Sequence, residues 1–322
     1  MPGTDKGNTP WPVPIWDADT VRLMSQDLGE GVFAVVADTA DVQTTEGVPQ
    51  ATSGGFVVGG EAVMVIESMM TPGLARQVLD LVAATTGKPI RYVGVTSDHG
   101  DHFFGNYLMP EDARIIQHEN AARGIAETGI EPRKKAQMGW FDVGKGIEEV
   151  EYRPADLLVG EGGRLVVDLG GHVVEVLDLG QGQTPGDLWY WDPKAKAAFA
   201  GNAFICERPA IPWLLDGVAE KPAQTLRKIH DWLPDDARIV PGHGRVTDKN
   251  GMLFFIEYLE TLVAHTRSAV EQGLTLDQTK AEFPMPEFDA GYPLFNWLHF
   301  DVNIPCAYNE AAAAAASRRS GT

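Results

Sequence analysis

The sequence predicts an α/β protein built as a four-layer αβ/βα sandwich. Three observations carry that expectation. Short apolar runs bracketed by glycine recur along the chain, as the strands of a largely buried sheet do. Helix-length stretches separate them, the first with a capped start. The strand-then-helix theme occurs twice, so two halves with strands inside and helices outside account for the whole pattern.

The elements follow in order. Residues 1–25 read as an extension, because the Pro-rich run around Trp11, Pro12, Pro14 and Trp16 cannot form a helix interior. The body is taken as 26–272. Residues 31–36 form a strand candidate, and 55–58 with 62–66 read as a hairpin around Gly59-Gly60. Thr71 caps a helix with Pro72 at its first position. Leu74, Val78, Leu81 and Val82 fall on one face of it, and Gly87 ends it. Residues 92–96 are a strand that runs straight into Ser97-Asp98-His99-Gly100-Asp101-His102.

The second half repeats the theme. Residues 164–168 and 172–177 flank Gly170-Gly171 as a hairpin, and 188–191 and 197–200 are further strands. Residues 222–233 are a helix, 238–240 a short strand and 251–272 a long amphipathic helix. Residues 273–322 are expected to pack on this domain as an extension whose last ten or so residues fray.

Composition narrows the function. The chain has 322 residues, 45 acidic against 26 basic, and a net charge of -19. Binding phosphate backbones or anionic lipid needs clustered Lys and Arg, so neither a nucleic acid nor a membrane surface is expected as partner. No apolar run reaches the ~20 residues of a membrane span. The first residues lack the apolar core of a secretory signal, and the expectation is a cytoplasmic protein; a leader removed ahead of Met1 would read the same way. Cys206 and Cys306 are too few for a disulfide framework and read as reduced buried thiols.

Four segments carry chemistry, each just after a strand candidate: Ser97 to His102, Gln183-Thr184-Pro185-Gly186-Asp187, Gly201-Asn202, and Pro241-Gly242-His243-Gly244. Two imidazoles and a carboxylate suit a catalytic zinc site with three protein ligands and an open position. Asp101 and His102 are adjacent in sequence, and His243 arrives from a distant loop whose flanking glycines allow close backbone approach.

These segments, with Gly54-Gly55-Phe56-Val57 and Val65-Ile66-Glu67, resemble the metallo-β-lactamase superfamily over roughly residues 30–270. The resemblance implies a metal-dependent hydrolase. It also exposes departures. The family's first motif is His-x-His-x-Asp-His, and its first His is Ser97 here. The usual His before Thr-Pro-Gly is Gln183, and the usual bridging Asp is Asn202. Of the family's first metal position only His99 survives, whereas Asp101, His102 and His243 complete the second. With Asn202 neutral, the negative charge that holds two dications together is absent, so one zinc ion per chain is expected.

The pattern Ser-x-His-x-Asp-His resembles, within that family, the hydrolytic dehalogenases that act on chlorothalonil. The resemblance implies replacement of an aromatic chlorine by hydroxyl. Asp101, His102 and His243 are then the metal ligands. Ser97, His99, Asp101 and Asn202 form the catalytic set, and Gln183, Asn202 and Trp213 line the substrate. His99 either hydrogen-bonds the nucleophilic water or serves as an extra ligand, its plainer rival being a relict imidazole whose partners are lost. Each other assignment has a plainer rival: Ser97 fills space, Gln183 and Asn202 satisfy backbone, and Trp213 packs in its loop. Glu67 is placed to accept from a metal-bound His. Asp187 braces its loop. His118 starts a helix, and His172, His230, His265 and His299 are packing or surface residues.

Two rivals stand beside this reading. One is hydrolysis of an ester, thioester, lactone or β-lactam on the same scaffold. The other is a non-catalytic binding protein with a decayed metal site. Loops 40–52, 124–158 and 203–220 are expected to set specificity. The aromatic arm and the apolar stretch 283–300, with Tyr292, Phe295 and Trp297, suggest a homodimer.

Overall fold

Two facing sheets organise the computed structural model, which describes residues 18, 20–47, 51–140 and 146–320. The Trp11–Trp16 part of the expected arm lies outside the described residues. In the first half the chain runs β1 (Leu23–Gly29), β2 (Val32–Ala37), α1 (Ala40–Glu46), β3 (Gly54–Val58), β4 (Val63–Ile66), α2 (Pro72–Thr85) and β5 (Ile90–Gly94). It continues through α3 (Gly100–Phe103), β6 (Arg114–His118), α4 (Glu119–Thr128), α5 (Glu131–Trp140) and β7 (Leu157–Val159). These strands form one sheet in chain order. It is antiparallel from β1 to β4 and parallel from β4 to β7.

The second half contributes β8 (Arg164–Asp168), β9 (Val173–Leu177), β10 (Trp189–Asp192), β11 (Ala197–Gly201), α6 (Glu220–Trp232), β12 (Arg238–Pro241) and β13 (Thr247–Asp248). Its sheet has the order β13-β12-β11-β10-β9-β8, with β11 and β12 parallel. Then come α7 (Leu253–Glu271), α8 (Leu276–Glu282) and a helical run that starts as α9 (Phe295–Trp297). That run widens to a π turn over Leu298–Asn303 and continues as α10 (Ile304–Ser320). α10 packs along α7.

Burial divides into three principal apolar clusters, as four layers require. Val63, Val65, Leu74, Val78 and Val93 fill the space between the first sheet and α2. Val32, Val57, Met64, Val176, Tyr190 and Phe199 lie between the sheets. Trp189, Leu226, Phe255, Leu259 and Leu298 join the second sheet to the outer helices. Tyr190 sets the spacing between sheets. A Cβ at Gly94 would lie 2.4 Å from its ring, and its hydroxyl donates to the carbonyl of Val95 at 3.2 Å.

Local sequence explains α2. Thr71 Oγ1 accepts from the Leu74 amide at 3.2 Å, and Leu74, Ala75, Val78 and Val82 are buried. The helix stops at Thr85, before the expected Gly87, because Thr86 turns extended toward Pro89. His118 does open a helix: its Nδ1 accepts from the Asn120 amide at 3.0 Å.

The aromatic stretch departs from expectation. Tyr292, Phe295 and Leu298 are buried in the chain's own core, and Trp297 packs edge-on to Trp213 at 5.9 Å. These residues therefore serve the chain's own core, while Trp297 and Phe300 stay partly buried. Among the described residues, no helix is long and apolar enough to cross a membrane.

Candidate metal centre

Strand β5 delivers the chain to the site. After Gly94 it passes Thr96, whose carbonyl accepts from the Leu188 amide of the other half at 2.9 Å. His99 then caps the short helix α3, which carries Asp101 and His102. β12 ends at Pro241 and presents His243, whose amide donates to Ile205 O at 2.8 Å. Residues 51–53 pin that loop from the first half. Thr52 bridges His243, the Ser53 amide donates to Gly242 O at 2.8 Å, and Ser53 Oγ donates to Gly244 O at 2.7 Å.

The three expected ligands converge. Asp101 Oδ2 lies 3.4 Å from Nε2 of His102 and 3.4 Å from Nε2 of His243. Donor atoms of all three residues fall within 4.8 Å of one another, the one such cluster found among the described residues. Three donors at about 2.0–2.1 Å from a tetrahedral zinc ion stand about 3.3 Å apart, close to the two 3.4 Å separations from Asp101. His102 Nε2 is wholly buried and has no protein hydrogen-bond partner. Burial opposes a charge on His102, yet Asp101 and Glu67 outweigh it and raise the ring's pKa. Burial would likewise push Asp101 up, but the imidazoles of His102, His243 and His99 and the Thr52 hydroxyl hold it down to about 2. The field favours positive charge at an otherwise orphaned nitrogen, and the residues fit a divalent cation.

The surroundings fix the ligands. Thr52 Oγ1 donates to Asp101 Oδ2 at 2.8 Å, and Gln137 Nε2 to Asp101 Oδ1 at 2.9 Å. Glu67 Oε1 sits 3.2 Å from His102 Nδ1, off the direction of a full hydrogen bond, and accepts from the Thr96 hydroxyl. Glu67 and Met69 both hold positive φ, 70° and 72°, which costs about 1–3 kcal/mol per residue. The Glu67 amide to Gly94 O and the Ser68 amide to His102 O, each 2.9 Å, hold that backbone in place.

The remaining expected residues divide. His99 Nδ1 lies 3.2 Å from Asn202 Nδ2, and its Nε2 lies 3.5 Å from Asp216 Oδ2. Burial alone would lower His99, but Asp216, Asp98 and Asp101 raise it to about 9. Asn202 comes from the turn after β11. There Gly201 adopts φ 52° and ψ -152°, and a Cβ would meet Thr96 Oγ1 at 2.0 Å. Ser97 is wholly buried, with its Oγ accepting from the His99 amide at 3.4 Å.

Gln183 Nε2 donates to Trp213 O at 3.0 Å, and its buried Oε1 has no protein partner. Trp213 is half-buried, and its indole N–H donates to Tyr292 at 3.1 Å. Asp187 takes the Thr184 amide at 2.8 Å and hydroxyl at 2.6 Å, while burial pushes its pKa up to about 7. Burial also pushes the Cys206 and Cys306 thiols up to about 12, which leaves little thiolate for nucleophilic chemistry.

Thr52, Gln137 and Asp216 were not legible as site residues. Thr52-Ser53 directly precedes a glycine-started strand, a faint signal at most. Gln137 and Asp216 stand in segments without any motif.

A family model described as the metallo-beta-lactamase superfamily matches residues 47–243. No curated protein matches the chain. Among solved structures, a metallo-beta-lactamase from Pontibacter korlensis is 15% identical with a TM-score of 0.56. That match covers 74% of this chain and 99% of that one. The stereoselective inverting sec-alkylsulfatase Pisa1 from Pseudomonas sp. is 15% identical with a TM-score of 0.68, covering 89% of this chain and 50% of that one. At such identities the likeness is one of fold. The family match rests on more than half of the sequence, from the end of α1 to His243 itself, and the chain belongs to the metallo-β-lactamase superfamily, whose members are mostly metal-dependent hydrolases.

Proposed function

We propose that this protein is a hydrolase with one zinc ion per chain, held by Asp101, His102 and His243, and that it replaces an aromatic chlorine with hydroxyl on a chlorothalonil-type substrate. One observation supports this above the rest. The second ligand set converges intact, while Ser97, Gln183 and Asn202 leave neutral groups where the family's other metal would lie. A bound zinc ion supplies a Lewis acid that makes water nucleophilic near neutral pH.

The chain's own groups do the rest. His99, held between Asn202 and Asp216, orients the attacking water, whose proton passes to solvent. The water oxygen bonds to an electron-poor ring carbon, the carbon–chlorine bond breaks, and chloride leaves with the bonding pair. Neutral donors such as the Asn202 and Gln183 amides stabilise the charge that spreads into the ring. Trp213 packs beside Gln183 and borders a flat substrate.

The direct test is chloride release from chlorothalonil by the zinc-loaded protein between pH 6 and 9. Release that disappears in Asp101→Ala is expected, and no release at any pH overturns the substrate. A second reading, hydrolysis of an ester or β-lactam, draws on the names of the fold neighbours, a β-lactamase and an alkylsulfatase. Turnover of nitrocefin or a simple ester faster than dehalogenation favours it. A homodimer is expected, and sedimentation at monomer mass contradicts that.

A further inference from the structure

The protein treats the two oxygens of Asp101 differently. Oδ2 faces His102 and His243 and accepts from Thr52. Oδ1 accepts from Gln137 Nε2 at 2.9 Å. Gln137 stands on α5, one turn after Arg133. Arg133 Nε donates to the backbone carbonyl of Asp98 at 3.0 Å, and its guanidinium donates again to the Asp98 carboxylate at 2.6 Å. Positions i and i+4 on one helix face therefore grip the 98–101 segment at both ends.

The described side chains of α5 add mainly polar contacts to this, among them Arg133 Nη1 to Thr128 Oγ1 at 2.6 Å and to Gly129 O at 3.1 Å. A surface helix normally binds its body through an apolar stripe, as α2 does with Leu74, Ala75, Val78 and Val82. Among the described side chains of α5 only Lys134 is buried, and its ammonium donates to Glu148 O at 3.3 Å. Met138 is exposed. The main packing neighbours of α5 are α3, which carries Asp101 and His102, and the turn Ile147–Glu149.

We infer that Gln137 is a positioning residue for Asp101, and that α5 and the metal loop hold each other, so that cation binding and docking of α5 are coupled. The inference rests on Asp101, His102 and His243 being a metal site. A carboxylate free at both oxygens can rotate, bind through either one or turn away. The Gln137 amide occupies Oδ1 and leaves Oδ2 for the cation. A neutral donor does this without cancelling the charge that attracts the cation, as Lys or Arg there would. Linkage makes the effect reciprocal: whatever α5 contributes to cation affinity, the cation returns to docking of α5.

The test measures zinc affinity by chelator competition, and hydrogen exchange of residues 131–140 with zinc and after its removal. It uses the full chain as wild type, Gln137→Ala and Gln137→Glu. Zinc is expected to slow exchange over 131–140 in the wild type. Gln137→Ala should bind zinc roughly 10- to 100-fold more weakly. Gln137→Glu, which sets a carboxylate against Oδ1, should bind at least as weakly as Gln137→Ala. The cobalt-loaded Gln137→Ala protein should show a shifted visible absorption band.

Zinc affinity of Gln137→Ala equal to wild type, or wild-type exchange over 131–140 indifferent to zinc, overturns the inference while the metal reading stands. A wild type that takes up no zinc overturns both. The exchange arm uses the wild type alone, so it decides the matter even where a variant misfolds.

Discussion

Asp101 meets its neighbour His102 and, from three other chain segments, Thr52, Gln137 and His243. Its two neighbours in the cluster were legible because imidazole and carboxylate at motif spacing have few other uses. The groups that aim Asp101 were not, since Thr and Gln are common polar residues whose meaning comes only from the fold. Removing one of them should loosen the cation without unfolding the chain. Thr52→Val keeps the shape and the backbone bridge to His243 but deletes the hydroxyl. It should weaken zinc binding by about tenfold, read by chelator competition, while the thermal midpoint of the zinc-free protein stays close to wild type. A variant that binds zinc as wild type does contradicts this role for Thr52.

Elements with a strong local signal were legible: the β3–β4 hairpin, the capped α2, the β8–β9 hairpin and the long α7. Those that depend on their neighbours were not. β1 reads Met-Ser-Gln-Asp-Leu-Gly after Leu23 and is mostly exposed, so only pairing with β2 makes it a strand. Its start at Leu23 falls inside the segment read as an arm. β7 is three residues long and exists through its pairing with β6. Gly201 shows the same dependence at the site. Its backbone angles are open essentially to glycine alone, and its Cα lies against Thr96. Gly201→Ala should cost at least about 2 kcal/mol in stability and displace Asn202. Denaturant unfolding checks the first effect; a midpoint equal to wild type contradicts it.

Across the whole molecule, the two halves meet at the site and at polar struts beside it. His118, at the end of β6, lies 3.5 Å from Asp178, just beyond β9. Burial would raise the Asp178 carboxyl, but His118 and the amides of Gly180 and Gly162 outweigh it and lower the pKa. A carboxylate lowered in the folded state stabilises it fully above the unfolded value of about 4. That contribution is lost as pH falls through the lower folded value. Thermal midpoints of wild type and Asp178→Asn should therefore differ at pH 7 and draw together as pH falls through the lowered folded value. A gap that ignores pH contradicts this. The four-layer arrangement was legible from the repeated strand-helix theme. The fate of the aromatic stretch 283–300 was not, because sequence does not say whether an apolar surface meets its own core or another chain.

Metal content per chain, measured on protein saturated with zinc and freed of loosely held ions, decides whether the Asp101–His102–His243 cluster holds a single cation. One zinc ion per wild-type chain is expected, and none in Asp101→Ala. Two ions per wild-type chain, or an Asp101→Ala protein that keeps its zinc, would contradict it.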